Sequence, residues 1–153
     1  MSWTTCRLGH RHWGPRGAAG LLVADAGRAL LQLRAGWAHQ GGTWSVPGGA
    51  RERGESGVET ALREAGEEMA IRPAEVDVRA SYVADCGGGW TYETVLGVPA
   101  TAPLHVEHLS ESVRHVWAEA DEVDDLPLHP AFRAAWDAPD GELRAFVGAT
   151  SPA

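Results

Sequence analysis

Between Gly49 and Ile71 the chain reads GARERGESGVETALREAGEEMAI, and no other stretch restricts its architecture as much. Val58, Ala61, Leu62, Ala65 and Met69 fall within one arc of roughly 100° when wound at about 100° per residue. The spacing therefore predicts a helix from about Glu55 to Met69 whose apolar face packs on a core. Glu64, Glu67 and Glu68 stand at i, i+3 and i+4, so their carboxylates leave one helix face and can converge on one point. Like charges at these spacings cost helix stability, and a divalent cation held by carboxylate oxygens would offset the cost. Mg²⁺ suits such an all-oxygen set best, with Mn²⁺ as a substitute. On the helix alone, a solvated charged face is the more frequent explanation.

The core for that helix is expected from short apolar runs. Ala18 to Ala24 (AAGLLVA) and Arg28 to Leu33 (RALLQL) flank Asp25-Ala26-Gly27 and read as a β-hairpin. A polar, Gly-rich loop spans Ala35 to Gly42. Beyond Pro73, Val78 to Val83, Tyr92 to Val98 and Val113 to Ala118 read as strands, with Cys86 to Gly89 as a turn. Phe132, Ala135 and Trp136 predict a last short helix over Pro130 to Trp136. The order hairpin, helix, strands, helix predicts a mixed α/β sandwich. At 153 residues the chain is one domain, 18–147, preceded by a packed N-terminal segment, 1–17, and ending in a frayed tail, 148–153.

Charge and residue choice remove several functions. Thirteen basic residues stand against 21 acidic ones, a net charge of −8, which gives no electrostatic support for gripping a polynucleotide. All the basic residues are Arg, which excludes a Schiff-base lysine and a P-loop of the G-x-x-x-x-G-K-[ST] type. Two cysteines, Cys6 and Cys86, are too few for a disulfide framework and read as free thiols of a reducing cytosol. With no bilayer-spanning run and no signal-peptide pattern, a cytoplasmic protein without membrane partner is expected.

Spacing outside the helix overturns the solvated-face explanation. The segment resembles the Nudix box, G-x5-E-x7-R-E-U-x-E-E-x-G-U with U aliphatic, through Gly49, Glu55, Arg63, Glu64, Glu67, Glu68 and Ile71. Trp44-x-x-Pro-Gly-Gly resembles the usual entry into that box. Ala65 departs mildly, and Ala70 replaces the Gly that normally ends the helix, so a different helix end is expected.

The resemblance implies a Nudix-type α/β/α sandwich with a mixed sheet and a hydrolase of nucleotide phosphoanhydride bonds. It implies that Glu64, Glu67, Glu68 and the Gly48 carbonyl hold the metal and that Arg63 orients the glutamates, with Glu55 in support. Many relatives recruit a further acid ahead of a late strand. Glu111 is the best-placed candidate, before Glu107 and Glu93. Ala50 stands where some relatives carry Lys after the paired glycines, leaving Arg34, Arg51 or Arg53 to steady the phosphates.

Weaker signals remain. Cys6, His10 and His12 form C-x3-H-x-H, and with Cys86 they could complete a four-ligand zinc site, although surface histidines and a buried thiol are the more frequent explanation. Trp37, Trp90 and Tyr92 adjoin Gly-rich loops where a ring could stack on a base, packing being the alternative. His129 falls where some relatives contact the nucleobase. The substrate expected is a nucleoside triphosphate, oxidised ones included, cut to monophosphate and pyrophosphate. ADP-ribose or a sugar nucleotide is the alternative, since base and sugar are read outside the box. An isomerase using Cys86 and a non-catalytic binding module are the remaining classes, and a homodimer is left open.

Overall fold

The computed structural model describes residues 3–38, 40–101 and 103–152. Met1 and Ser2 of the N-terminal segment, His39 of the 35–42 loop, Ala102, and Ala153 of the tail lie outside the described residues. The strands are β1 (Trp3–Thr5), β2 (Arg11–Trp13), β3 (Ala18–Asp25), β4 (Arg28–Arg34), β5 (Trp44–Ser45), β6 (Gly48–Ala50), β7 (Val76–Asp85), β8 (Thr91–Pro99) and β9 (Ser112–Glu119). The helices are α1 (Gly57–Met69), α2 (Ala120–Asp125), α3 (Pro130–Trp136) and α4 (Glu142–Ala149), with a 3-10 turn at Pro73–Glu75.

β3 explains the layering. Its residues are buried from Ala18 through Ala24, so the strand carries an unbroken apolar run where a half-exposed strand would alternate. Leu21 and Val23 pack with Ala61, Ala65 and Met69 of α1. Leu22 and Ala24 face the other way, into a cluster with Phe132, Trp136, Leu143 and Val147 of α3 and α4. Helices thus cover both faces, and the expected α/β sandwich is the observed fold.

The sheet is mixed. β3 runs parallel to β8 and antiparallel to β6, while β8 pairs antiparallel with the edge strand β7. β4 pairs antiparallel with β5 and β9. Among the described residues, β3 and β4 pair only at Ala24 with Ala29 and Asp25 with Arg28, so the hairpin splays into two wings beyond its turn. That turn holds Ala26 at φ 52° and Gly27 at φ 78°, the two positive angles a tight hairpin connection requires.

Three differences from expectation have local causes. β1 and β2 form a separate two-stranded sheet within the N-terminal segment. The tail does not fray from Gly148: α4 runs through Ala149, and the Thr150 hydroxyl accepts from the Gly27 N–H at 3.0 Å. α1 starts at Gly57 rather than Glu55, because Ser56 caps it; the Ser56 side chain accepts from Glu59 N, and Glu59 accepts from Ser56 N.

The helix end also differs from expectation. Ala70 adopts the left-handed conformation, φ 59° and ψ 25°, and Ile71 N donates to the Ala65 carbonyl at 3.3 Å. α1 therefore closes as a Gly-terminated helix would, with a Cβ in a conformation that disfavours one. Ala70→Gly should stabilise the protein by about 1 kcal/mol, a rise of roughly 2–4 °C in melting temperature. An unchanged or lowered melting temperature contradicts that strain.

Candidate active site

α1 lies across β3 with its C-terminal half beside β6, and this crossing sets the site. Gly49 has no Cβ because one built there would stand 2.5 Å from Glu64 Oε1. The Glu64 carboxylate therefore rests directly on the β6 backbone. Glu68, one turn on, is buried at 6% exposure. Its Oε1 accepts from Gln32 Nε2 of β4 at 2.7 Å and its Oε2 from Gly48 N of β6 at 3.1 Å. Burial, reinforced by the neighbouring Glu64, pushes the Glu68 carboxyl up to about 8 against the pull of Gln32 and Arg34. The chain has built a place where two carboxylates adjoin with little water, which is unfavourable for both to ionise unless a cation joins them.

The donors present fit a hard divalent ion. Gln32 Oε1 is buried with no hydrogen-bond partner among the described residues, beside the Glu68 it holds through its nitrogen. Glu64, Glu68 and this amide oxygen offer oxygen alone, the chemistry Mg²⁺ prefers. Glu67 is the exposed member of the acidic face, at 56%, and accepts from Arg63 Nη1 at 3.3 and 3.4 Å. Gly48 lies in the same cluster through its N–H.

Arg63 holds the carboxylates in place. Its Nε and Nη2 donate to Glu55 at 2.8 and 3.0 Å, its Nη1 to Glu64 at 3.0 Å, and Nη2 also reaches the Ala50 carbonyl at 3.2 Å. Glu55 further accepts from the Thr60 hydroxyl at 2.7 Å and from Glu52 N at 3.1 Å. These donors, Arg63 foremost, hold the Glu55 carboxyl down to about 2. One fork-shaped cation thus ties the loop before α1, the end of β6 and the helix face together.

The loop after β8 completes the surroundings. Glu107 N and Leu109 N donate to the Met69 and Glu68 carbonyls at 3.0 and 2.9 Å, capping the end of α1. That brings Glu111 to the start of β9, where its Oε2 meets Arg34 Nη2 at 3.0 Å. The Glu107 side chain turns to His105 at 3.4 Å. Glu93 packs its carboxylate against Gly57 at the first turn of α1, about 15 Å along the helix from Glu67.

The remaining candidates have varied settings. Arg51 donates twice to the Glu55 carbonyl, at 3.1 and 2.8 Å, while Arg53 is exposed. Tyr92 tucks its hydroxyl against Gly20 and Gly48, and burial followed by the nearby Glu68 and Glu64 raises its pKa. Its polar end is thus under the carboxylates rather than on a loop surface. Trp90 has one face already covered by His12, stacked at 4.2 Å. Trp37 is 74% exposed. His129 serves as the N-cap of α3, its Nδ1 accepting from Ala131 N at 3.1 Å. Cys6, His10, His12 and Cys86 come together, in the N-terminal hairpin and the β7–β8 turn.

Residues 14–142 match the family model of the NUDIX domain, and the chain belongs to the Nudix hydrolase family. It is 42% identical over 144 residues to a Mycobacterium tuberculosis protein named "Putative 8-oxo-dGTP diphosphatase 3", covering 88% of this chain and 66% of that one. It is 37% identical over 143 residues to a Bifidobacterium longum nucleoside triphosphate pyrophosphatase/Nudix hydrolase fusion protein, covering 88% of this chain and 30% of that one. The chain thus spans just under two thirds of the first relative and under a third of the second. A solved Nudix hydrolase from M. smegmatis, RenU, superposes with TM-score 0.82 at 42% identity, covering 99% of this chain and 97% of that one. No helix among the described residues is long and apolar enough to cross a membrane.

Gln32 was not anticipated from the sequence. Its signal was available: it is the one polar residue inside the apolar run RALLQL, and a strand buried on both faces has to satisfy any such side chain.

The raised Glu68 value makes a signed prediction. A carboxyl with a folded pKa above its unfolded one takes up a proton on folding, so stability falls as pH rises from 4.5 to about 8. Glu55 acts oppositely: its contribution is present above 4.5 and lost as pH falls through about 2. In metal-free buffer the melting temperature of Glu68→Gln should gain on the wild type as pH rises through the upper window. Parallel curves would show that Glu68 is not held in this way.

Proposed function

We propose that this chain is a Mg²⁺-dependent hydrolase of nucleoside triphosphates, oxidised ones included, releasing monophosphate and pyrophosphate. The observation that carries the proposal is the pairing of Glu64 and Glu68 beside the β6 backbone, with Gln32 and Gly48 seating Glu68 and Arg63 bracing Glu64. Such a pair is costly in a metal-free protein and has a use once a cation shares it with substrate phosphates. The name of the M. tuberculosis relative supports the substrate class. In this reading Glu64, Glu67, Glu68, the Gln32 amide oxygen and the Gly48 carbonyl are the candidate metal-holding groups. The ion would supply charge neutralisation for the phosphates.

The protein's own groups do the positioning. Arg63 and Glu55 keep the face of α1 aimed at β6, and Arg34, 15% exposed, adjoins the opening on the β4 side. Glu111 accepts from Arg34 and remains 39% exposed, so its carboxylate can take a proton from the attacking water, becoming a neutral carboxyl, and return that proton to solvent.

Activity on a panel of nucleotides, ADP-ribose and sugar nucleotides should require a divalent ion and favour the triphosphates. Full turnover after exhaustive chelation would falsify the metal requirement, and preference for ADP-ribose would overturn the substrate assignment. Replacing Glu68 or Glu67 by Gln should lower kcat at least ~100-fold, the scale of losing one strong electrostatic stabiliser. Metal-free stability should hold or rise, because like charges are relieved. Glu111→Gln should lower kcat with little change in melting temperature; wild-type rates there would remove it from the mechanism.

A further inference from the structure

Outside the carboxylate site, the described residues place Cys6, His10, His12 and Cys86 with one ligand atom each, all within 4.8 Å of one another. We propose that these four side chains form a structural zinc site, Cys₂His₂, which clips the β1–β2 hairpin to the β7–β8 turn. Zinc at about 2.3 Å from sulfur and 2.0–2.1 Å from imidazole nitrogen places its ligand atoms roughly 3.3–3.8 Å apart in a tetrahedron. The cluster is thus within roughly 1.0–1.5 Å of closure on an ion, and the donors, two thiols and two imidazoles, are those that zinc takes.

The surroundings are shaped around the sulfurs. Cys6 opens a tight loop in which Cys6 N donates to the His10 carbonyl at 3.0 Å and Gly9 N to the Cys6 carbonyl at 2.9 Å. Cys86 opens a second, with Cys86 N donating to the Trp90 carbonyl at 2.9 Å. The two loops are joined by Arg7 N donating to the Gly88 carbonyl at 3.1 Å. Gly88 cannot carry a side chain here, since its Cβ would lie 2.6 Å from Cys6 Sγ. Gly88 N also donates to Cys86 Sγ at 3.3 Å, the kind of N–H···S contact that steadies a thiolate ligand. The His12 ring is fixed by its stack on Trp90, and its Nε2 is buried without a hydrogen-bond partner among the described residues.

The hairpin has need of such a clip. Its strands are three residues each and form a sheet apart from the main one. Trp3, Trp13 and Leu8 are 44%, 44% and 57% exposed, so it has little core of its own, and an isolated hairpin is marginal in water. A metal bound by two loops supplies the missing stability. A Cys6–Cys86 disulfide would join the same loops but leave both imidazoles unexplained. The clip also reaches the active-site side: Trp90 Nε1 donates to the Gly14 carbonyl at 2.8 Å, and Gly14 packs on Ala50 of β6.

Protein purified anaerobically without chelator or immobilised metal should carry about one zinc per chain by elemental analysis, four N/S donors making one closed site. The doubly substituted Cys6→Ser, Cys86→Ser protein should carry none and melt lower. Adding Zn²⁺ to metal-stripped wild type should raise its melting temperature and release protons. Because the substituted protein could fail to fold, Co²⁺ is added to stripped wild type as well. The intense visible bands of a tetrahedral thiolate complex are expected. No retained zinc with no response to added Zn²⁺ or Co²⁺ overturns the site. So does zinc retained by the serine variant, or a Cys6–Cys86 disulfide in the anaerobic protein.

Discussion

A carboxylate kept at 6% exposure, Glu68, is the constraint around which this structure is arranged. Burying an anion is unfavourable unless donors meet it, and two do: the amide of Gln32 from β4 and the N–H of Gly48 from β6. These come from the two wings into which the β3–β4 hairpin splays, so seating Glu68 requires the sheet to be complete. The helix has to cross β3 closely enough that Glu64 rests on Gly49, and small residues make that crossing possible. Ala61 and Ala65 face the sheet from α1, and Ala19 faces them from β3. Fold and chemistry are thus coupled through a few short side chains.

Glu55 and Arg63 counterbalance the crowded acids. With both fork nitrogens on Glu55, Arg63 has its remaining nitrogen for Glu64, and the helix face does not splay under its own repulsion. Glu55 and Glu68 are driven apart in character by their neighbours. Glu55 is held ionised by Arg63, whereas Glu68, shielded from water and beside Glu64, resists ionisation. The first supports structure; the second is the group whose charge state a cation would change.

Much of this was legible in sequence. The period of Val58, Ala61, Leu62, Ala65 and Met69 located α1, the run AAGLLVA located β3, and the order of elements predicted the mixed sandwich. The spacing from Gly49 to Glu68 placed the acidic face. What escaped depends on long-range packing. Gln32 meets Glu68 across 36 positions, and no local pattern announces that pairing. The settings of Tyr92 and His129 were equally out of reach, one turning its hydroxyl beneath β6 and the other capping α3 through Nδ1. α4 lacked a strong start signal, since Gly141 caps it without a side chain, although Leu143 and Val147 carry its buried stripe at i, i+4. Ala70 shows the limit of residue preference: the position demands a left-handed backbone, and the packing of Ile71 and the loop from Glu107 enforces it with Ala.

The account rests on Glu64 and Glu68 being crowded together for a cation. A crystal of the protein soaked in Mn²⁺ tests that directly, because anomalous scattering locates manganese without reference to any assumed site. The account predicts a peak between the Glu64 and Glu68 carboxylates, within coordination distance of at least one oxygen of each. Manganese bound elsewhere on the chain, with this pair still closed on Gln32 and Gly48 and no density between them, would contradict it.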